Sequence, residues 1–155
     1  MTVEDEAEIR NLLARVLHMT DGRGDMAEYV YLYTEDCVWE SEVAGTFHGR
    51  DGQLARHAKY RGAGIQGPDV NSYHVLTTVE VHVDGATATS MSTWMLVFDT
   101  AGSPPVVQAI GTYTDTLRHE DGMWRLHIRR VGQGNGDWLA EREAAAKAKA
   151  EAAGS

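Results

Sequence analysis

Basic side chains are scarce in this chain of 155 residues. Its 14 lysines and arginines stand against 23 aspartates and glutamates, which gives a formal net charge of −9. This excess of negative charge would repel a phosphate backbone. The only adjacent basic pair is Arg129-Arg130, so no basic stripe offsets the repulsion. We therefore expect no nucleic-acid partner.

Long apolar segments are missing too. No apolar run approaches the roughly 20 residues that a membrane-spanning helix needs, so we expect no membrane association. The opening sequence, MTVEDEAEIR, is acidic and polar, unlike a signal peptide. Cys37 is the only cysteine, which rules out an internal disulfide. Together these features favour a cytoplasmic protein.

Motifs for metals and nucleotides are also absent. The seven histidines form no His-x-x-x-His pair, and the chain has no Cys-x-x-Cys and no acidic calcium loop. The glycine-rich stretch GQGNG, at residues 132–136, lacks the Lys-Ser/Thr of a phosphate-binding loop. We expect neither a metal nor a cofactor.

What is present indicates helices first and a sheet afterwards. Ile9, Leu12, Leu13, Val16 and Leu17 recur at helical spacing in a first helix that ends at the following glycines. A short second helix is predicted after Asp25, which would cap it, and should carry Tyr29, Val30, Leu32 and Tyr33. A third is predicted after a capping Asp51, through Leu54, Ala55 and Ala58.

Strand patterns dominate the second half. Residues 37–39 and 46–47 should form a small hairpin, and residues 72–83, 86–99, 106–119 and 123–131 should form an antiparallel meander. The dipeptides Asp84-Gly85 and Asp121-Gly122 are strong hairpin signals. We predict one α+β domain over residues 1–136, in which three N-terminal helices cover a curved, mostly antiparallel sheet. Residues 137–155 should form a helical, partly disordered tail.

Six segments of this pattern resemble the nuclear transport factor 2-like superfamily, in its SnoaL-like branch. They are residues 7–13 (AEIRNLL), 20–25 (TDGRGD), 33–39 (YTEDCVW), 47–52 (FHGRDG), 72–75 (SYHV) and 121–125 (DGMWR). The resemblance implies a cone-shaped α+β barrel around one pocket. Within the superfamily, the chain is most similar to scytalone dehydratase and hexachlorocyclohexane dehydrochlorinase.

Those relatives imply site residues for this chain. Their aspartate after the first helix and histidine at the start of the meander correspond to Asp21 and His74. The dehydrochlorinase arginine on the last strand corresponds to Arg129, although strand parity alone cannot choose between Arg129 and Arg130. An arginine there is expected to stabilise a developing enolate or leaving oxygen. Its lysine five residues before the aspartate is replaced by Val16, which makes loss of chloride a poorer fit than loss of water or a proton shift.

Five further residues are candidates for binding a substrate. Trp39 and Tyr113 match pocket aromatics of the dehydrochlorinase, and Trp94 is another aromatic of the predicted sheet. Tyr29 is a candidate pocket hydroxyl. His18 lies one helical turn before Asp21 and could replace a pocket tyrosine.

An imidazole oriented by a carboxylate is a good general base near neutral pH. The Asp21–His74 pair therefore predicts a cofactor-independent lyase or isomerase acting on an apolar or aromatic, oxygenated small molecule. The same base suits a dehydratase-like elimination, a proton shift or a retro-aldol cleavage. A polyketide-type cyclase and a non-catalytic assembly module, like the beta subunit of ring-hydroxylating dioxygenases, remain alternatives. We also expect a homodimer or homotrimer, because Val75, Val79, Val81 and Val83 should share one exposed face of their strand.

Overall fold

The computed structural model describes residues 2–99, 102–133 and 138–154. Its helices are α1 (Val3–Thr20), α2 (Met26–Tyr29), α3 (Gly49–Gly62) and α4 (Trp138–Ala153). Its strands are β1 (Tyr33–Ser41), β2 (Gly45–His48), β3 (Ser72–Asp84), β4 (Thr87–Phe98), β5 (Val106–Glu120) and β6 (Met123–Gln133). The predicted boundary between residues 136 and 137 lies outside the described residues, and residues Trp138–Ala153 form the helix α4.

The six strands form one sheet in the order β2-β1-β6-β5-β4-β3. All neighbours are antiparallel except β1 and β6, which are parallel. Four of the five pairings contain a register shift, and such bulges bend a strand and increase its twist. The predicted helix-covered, mostly antiparallel sheet is confirmed, but it is not a closed barrel, because β2 and β3 remain unpaired edges.

The first helix ends as its sequence predicts, and its start is capped. Thr2 and Asp5 form a reciprocal capping box at its start. Gly22 follows its end with φ +86°, and a Cβ there would lie 2.4 Å from the backbone nitrogen of Pro68. Only glycine lets the loop approach this closely. Asp21, the residue between helix and glycine, is thereby fixed in place.

Two predicted helix boundaries are wrong. Helix α2 ends at Tyr29, and a 3₁₀ turn over Val30–Leu32 leads directly into β1, so that Tyr33 belongs to a strand. Helix α3 starts at Gly49 directly after β2, which places Asp51 in the first turn rather than at the cap. An acidic residue there still suits the positive end of the helix dipole.

The buried residues form two apolar clusters. One lies between α1 and the sheet, and it includes Ile9, Leu13, Leu117 and Leu126. The other surrounds Trp39, Tyr60, Trp94 and Tyr113 and forms the walls of a pocket. Among the described residues we find no helix both long and apolar enough to cross a membrane.

A bulge in β3 overturns the predicted valine face. The register with β4 shifts between Thr77 and Glu80, and Thr78 adopts φ 44°. Val75, before the bulge, is 37% exposed, whereas Val83, after it, is 6% exposed and belongs to the core. The four valines therefore do not share one outer face, because an extra residue reverses the alternation of side chains.

Candidate active site

A pocket of about 590 Å³, counting the space at its open mouth, lies between the helices and the inner face of the sheet. Its aromatic lining consists of Trp39, Tyr60, Trp94 and Tyr113. Its aliphatic lining consists of Leu17, Ile65, Leu96 and Val131. A mainly apolar and aromatic lining of this kind is typical of a site for a small organic molecule.

Asp21 and His74 meet at the edge of this pocket. The Asp21 Oδ1 atom lies 2.6 Å from the His74 Nδ1 atom, and Asp21 Oδ2 accepts a 2.8 Å hydrogen bond from the His74 backbone N–H. The two side chains are only 4% and 10% exposed. One carboxylate thus fixes both the ring and the backbone of His74.

This contact determines which ring nitrogen can do chemistry. Because Nδ1 is held by Asp21, Nε2 is the nitrogen left for a ligand. No described residue forms a hydrogen bond with Nε2, and His74 lines the pocket. A carboxylate on Nδ1 orients the imidazole and stabilises the cation that forms when Nε2 takes up a proton.

Arg129 faces the pocket, and Arg130 faces outward, where it pairs with Glu40. Arg129 is paired with Asp115: its Nε and one terminal nitrogen each donate a 2.8 Å hydrogen bond to that carboxylate. Burial alone would lower the pKa of Arg129, but Asp115 raises it, so the guanidinium stays charged. Its plane also covers the Tyr113 ring, 3.9 Å from the ring centre.

The three predicted pocket aromatics lie in the pocket wall. Trp94 stacks on Tyr113 with ring centres 5.6 Å apart, and its ring centre lies 6.5 Å from that of His74. Trp39 contacts Tyr60 edge to face at 6.0 Å. Burial raises the pKa of Tyr113 to about 12, so its hydroxyl stays protonated. Together these rings form apolar walls next to His74.

Two predicted pocket residues lie elsewhere. His18 is exposed on the outer side of α1, where it contacts Arg23, because its position on the helix points away from the sheet. Tyr29 is completely buried behind the pocket wall rather than in it. Its hydroxyl lies 2.9 Å from that of Tyr33, which does line the pocket.

The pocket-lining residues of α3 and of the loop that follows it were not predicted from the sequence. The buried face of α3 consists of Gln53, Arg56, His57 and Tyr60. Leu54, one of the apolar residues that indicated the helix, lies outside this face and is 40% exposed. The helical spacing of Gln53, Arg56 and the aromatic Tyr60 is the sequence pattern that could have predicted this buried face. Gln66 follows in the loop and lines the same pocket.

A SnoaL-like domain model matches residues 1–130, and the chain therefore belongs to this family. Among solved structures, an NTF2-like protein with a cystatin-like fold from Novosphingobium aromaticivorans is 25% identical, with 91% of this chain and 89% of that one covered and a TM-score of 0.71. A candidate scytalone dehydratase from the same organism is 20% identical over 86% of each chain, with a TM-score of 0.67. A hexachlorocyclohexane dehydrochlorinase (LinA) of type 2 is 17% identical, over 86% and 87%, with a TM-score of 0.71.

These comparisons confirm the SnoaL-like, NTF2-like fold predicted from the sequence. No curated protein matches the chain. Within the described ranges, no three His, Cys, Asp or Glu side chains are grouped so that they could hold a metal ion.

Proposed function

We propose that the protein is a cofactor-independent lyase or isomerase that acts on an apolar, oxygenated small molecule. One observation carries the proposal. The buried Asp21–His74 pair leaves the second imidazole nitrogen at the wall of an aromatic pocket. Such an imidazole is a general base near neutral pH, and exclusion of water strengthens its ion pair with the carboxylate.

In the proposed reaction, His74 Nε2 removes a proton from a carbon next to a carbonyl group. The electron pair of the broken C–H bond moves onto the carbonyl oxygen and forms an enolate. In an isomerisation, the imidazolium returns the proton to another carbon. In an elimination, the electron pair expels a leaving group such as hydroxide, which takes up a proton to form water. Asp21 stabilises the imidazolium throughout.

The names of two structural neighbours denote eliminations, of water and of hydrogen chloride. The present chain suits the first better than the second. Val16 stands where the dehydrochlorinase pattern has a lysine, and it is 1% exposed within the apolar core. No charge from that position can assist a departing chloride. Loss of water or a proton shift is therefore the reaction we expect.

Proton abstraction can be measured without knowledge of the natural substrate. 2-Tetralone is an aromatic ketone with acidic C–H bonds, and its exchange of hydrogen for deuterium in D₂O is visible by NMR. We expect the protein to accelerate this exchange and His74→Ala to lose about 10²–10⁴-fold of the acceleration. Asp21→Asn should cost nearly as much, and the double variant little more, since the two residues act as a unit.

His18→Ala is the matched control, because His18 lies outside the pocket and should leave the rate unchanged. A folded His74→Ala protein that retains near-full exchange activity would refute the role of His74. Tight binding of the ketone by the wild type without any exchange would favour a non-catalytic binding module.

A further inference from the structure

Arg56 is a buried cation that the proposed reaction does not yet use. It lies in the middle of α3, is 4% exposed and lines the pocket. One terminal nitrogen donates a 2.6 Å hydrogen bond to the Tyr29 hydroxyl, and Nε donates one of 3.3 Å to Gln53 Oε1. The guanidinium also lies over the Trp39 ring, 4.7 Å from its centre.

The surroundings of Arg56 differ from those of Arg129 in one respect. Arg129 has the carboxylate of Asp115 against it, whereas no carboxylate of the described residues lies within 4.0 Å of the Arg56 guanidinium. Burial alone would lower the pKa of Arg56, but nearby tyrosines, Tyr29 first, raise it, so that the charge persists. A buried charge without an opposite charge is costly, and such groups are normally paired.

The two tyrosine hydroxyls near Arg56 have altered pKa values. Burial would raise the pKa of Tyr29, but the Arg56 charge and hydrogen bonds from Thr20 and Tyr33 lower it below its ordinary value. Burial, together with the adjacent Tyr29, raises the pKa of Tyr33 well above its ordinary value. Tyr33 therefore stays protonated and keeps its hydroxyl proton in the hydrogen bond with Tyr29.

One donor in the same lining has no partner among the described residues. Gln66 is 1% exposed, and its Nε2 atom forms no hydrogen bond with any described residue. An unpaired buried N–H group costs free energy that a bound acceptor would recover. The pocket thus contains the Arg56 guanidinium and the Gln66 amide N–H group, and the described residues supply neither with a carboxylate partner.

We propose that Arg56 binds an anionic oxygen of the substrate, while the aromatic walls hold its ring system. This inference rests on the proposed function for the location of the substrate. The oxyanion is either carried by the substrate, as a carboxylate, or formed in the reaction, as an enolate. Arg129, whose fork is occupied by Asp115, is then a structural cation, and the oxyanion-stabilising role expected of it passes to Arg56.

Two ligands distinguish the sources of the oxyanion. 2-Naphthoate carries a permanent carboxylate, and 2-naphthamide is its neutral counterpart; binding of both can be followed by quenching of tryptophan fluorescence. If the substrate carries the anion, the wild type should bind the naphthoate about 10-fold to 100-fold more tightly than the amide. If the oxyanion forms only in the reaction, 2-naphthol should instead bind as naphtholate at neutral pH, visible as a red shift of its absorption.

Arg56→Met should abolish whichever signal the wild type shows, and Arg130→Met, outside the pocket, should leave it intact. If Arg56→Met does not fold by circular dichroism, Arg56→Lys replaces it. Lysine lacks the planar fork and should reduce the signal about tenfold. The proposal is overturned if the wild type shows neither signal, or if a folded Arg56 variant retains it in full. Failure of the His74 mechanism would not affect these results, since none depends on turnover.

Discussion

The pair of Arg129 and Asp115 allows a sharp test of how charge is held inside this protein. Their side chains are 3% and 0% exposed, and two parallel hydrogen bonds join them. Arg129→Met would leave the Asp115 carboxylate buried without a cation. Breaking such a pair from one side typically costs about 3–5 kcal/mol. For a domain of this size, that corresponds to a melting temperature lowered by roughly 6–20 °C.

The double variant Arg129→Met, Asp115→Leu should recover most of the loss, because it removes both charges together. Urea unfolding followed by circular dichroism gives the free energy of unfolding for each protein and for the double-mutant cycle. Arg130→Met is the matched control. Arg130 and its partner Glu40 are 57% and 37% exposed, so the loss should stay within about 1 kcal/mol.

Additive losses in the cycle would refute this reasoning, since they would mean that neither charge depends on the other. The cycle also bears on catalysis. A drop in activity after substitution of Arg129 must be corrected for lost folded protein before any direct role is assigned to it.

Two further predictions concern pH and self-association. Burial, helped by the Arg56 charge, lowers the pKa of His57 below its ordinary 6.5. The neutral His57 side chain therefore contributes fully to stability above pH 6.5, and this contribution is lost as the pH falls below that value. In urea unfolding, His57→Gln should reduce the loss of unfolding free energy between pH 6.5 and about pH 5. An unchanged dependence of the unfolding free energy on pH would contradict this. The expected dimer or trimer stays a prediction, and sedimentation should give two or three times the chain mass. Val107→Glu, at a position 53% exposed on the outer face of the sheet, should yield monomers. Met123→Glu, at a hairpin, is the control and should not. A monomeric wild type at micromolar concentration would contradict it.

The hairpins were predictable because their signals are local. At the Asp121-Gly122 turn both residues have positive φ, 53° and 77°, as a two-residue turn of this type requires. At the other hairpin Asp84 still pairs with Thr87, so the two turn residues are Gly85 and Ala86, one position later than predicted, and Gly85 has φ 57°. A sequence of a few residues is enough to specify such turns. For the same reason the meander of β3 to β6 followed from the sequence alone.

The interior of α3 was not predictable by the same rules. Patterns of apolar residues locate the face of a helix that packs on a core, but α3 turns polar residues inward because that side borders a pocket. Arg56 is buried there, and Leu54 is left 40% exposed. Local rules fail most often at functional sites. The resemblance gave Asp21, His74 and Arg129, yet it carried no information about Arg56.

The bulge at Thr78 divides β3 into two segments with independent side-chain phases. Before it, His74 and Leu76 face inward toward the pocket and the Trp94 ring; after it, Val79 and Val83 face inward toward the apolar core. The first segment of the strand thus lines the pocket, and the second packs in the apolar core. The side-chain alternation of each segment is independent of that of the other. Substitutions before the bulge should chiefly alter what the protein recognises, and those after it how firmly it stays folded. An engineer could therefore redesign the recognition half of the strand while keeping the other half as a fixed anchor.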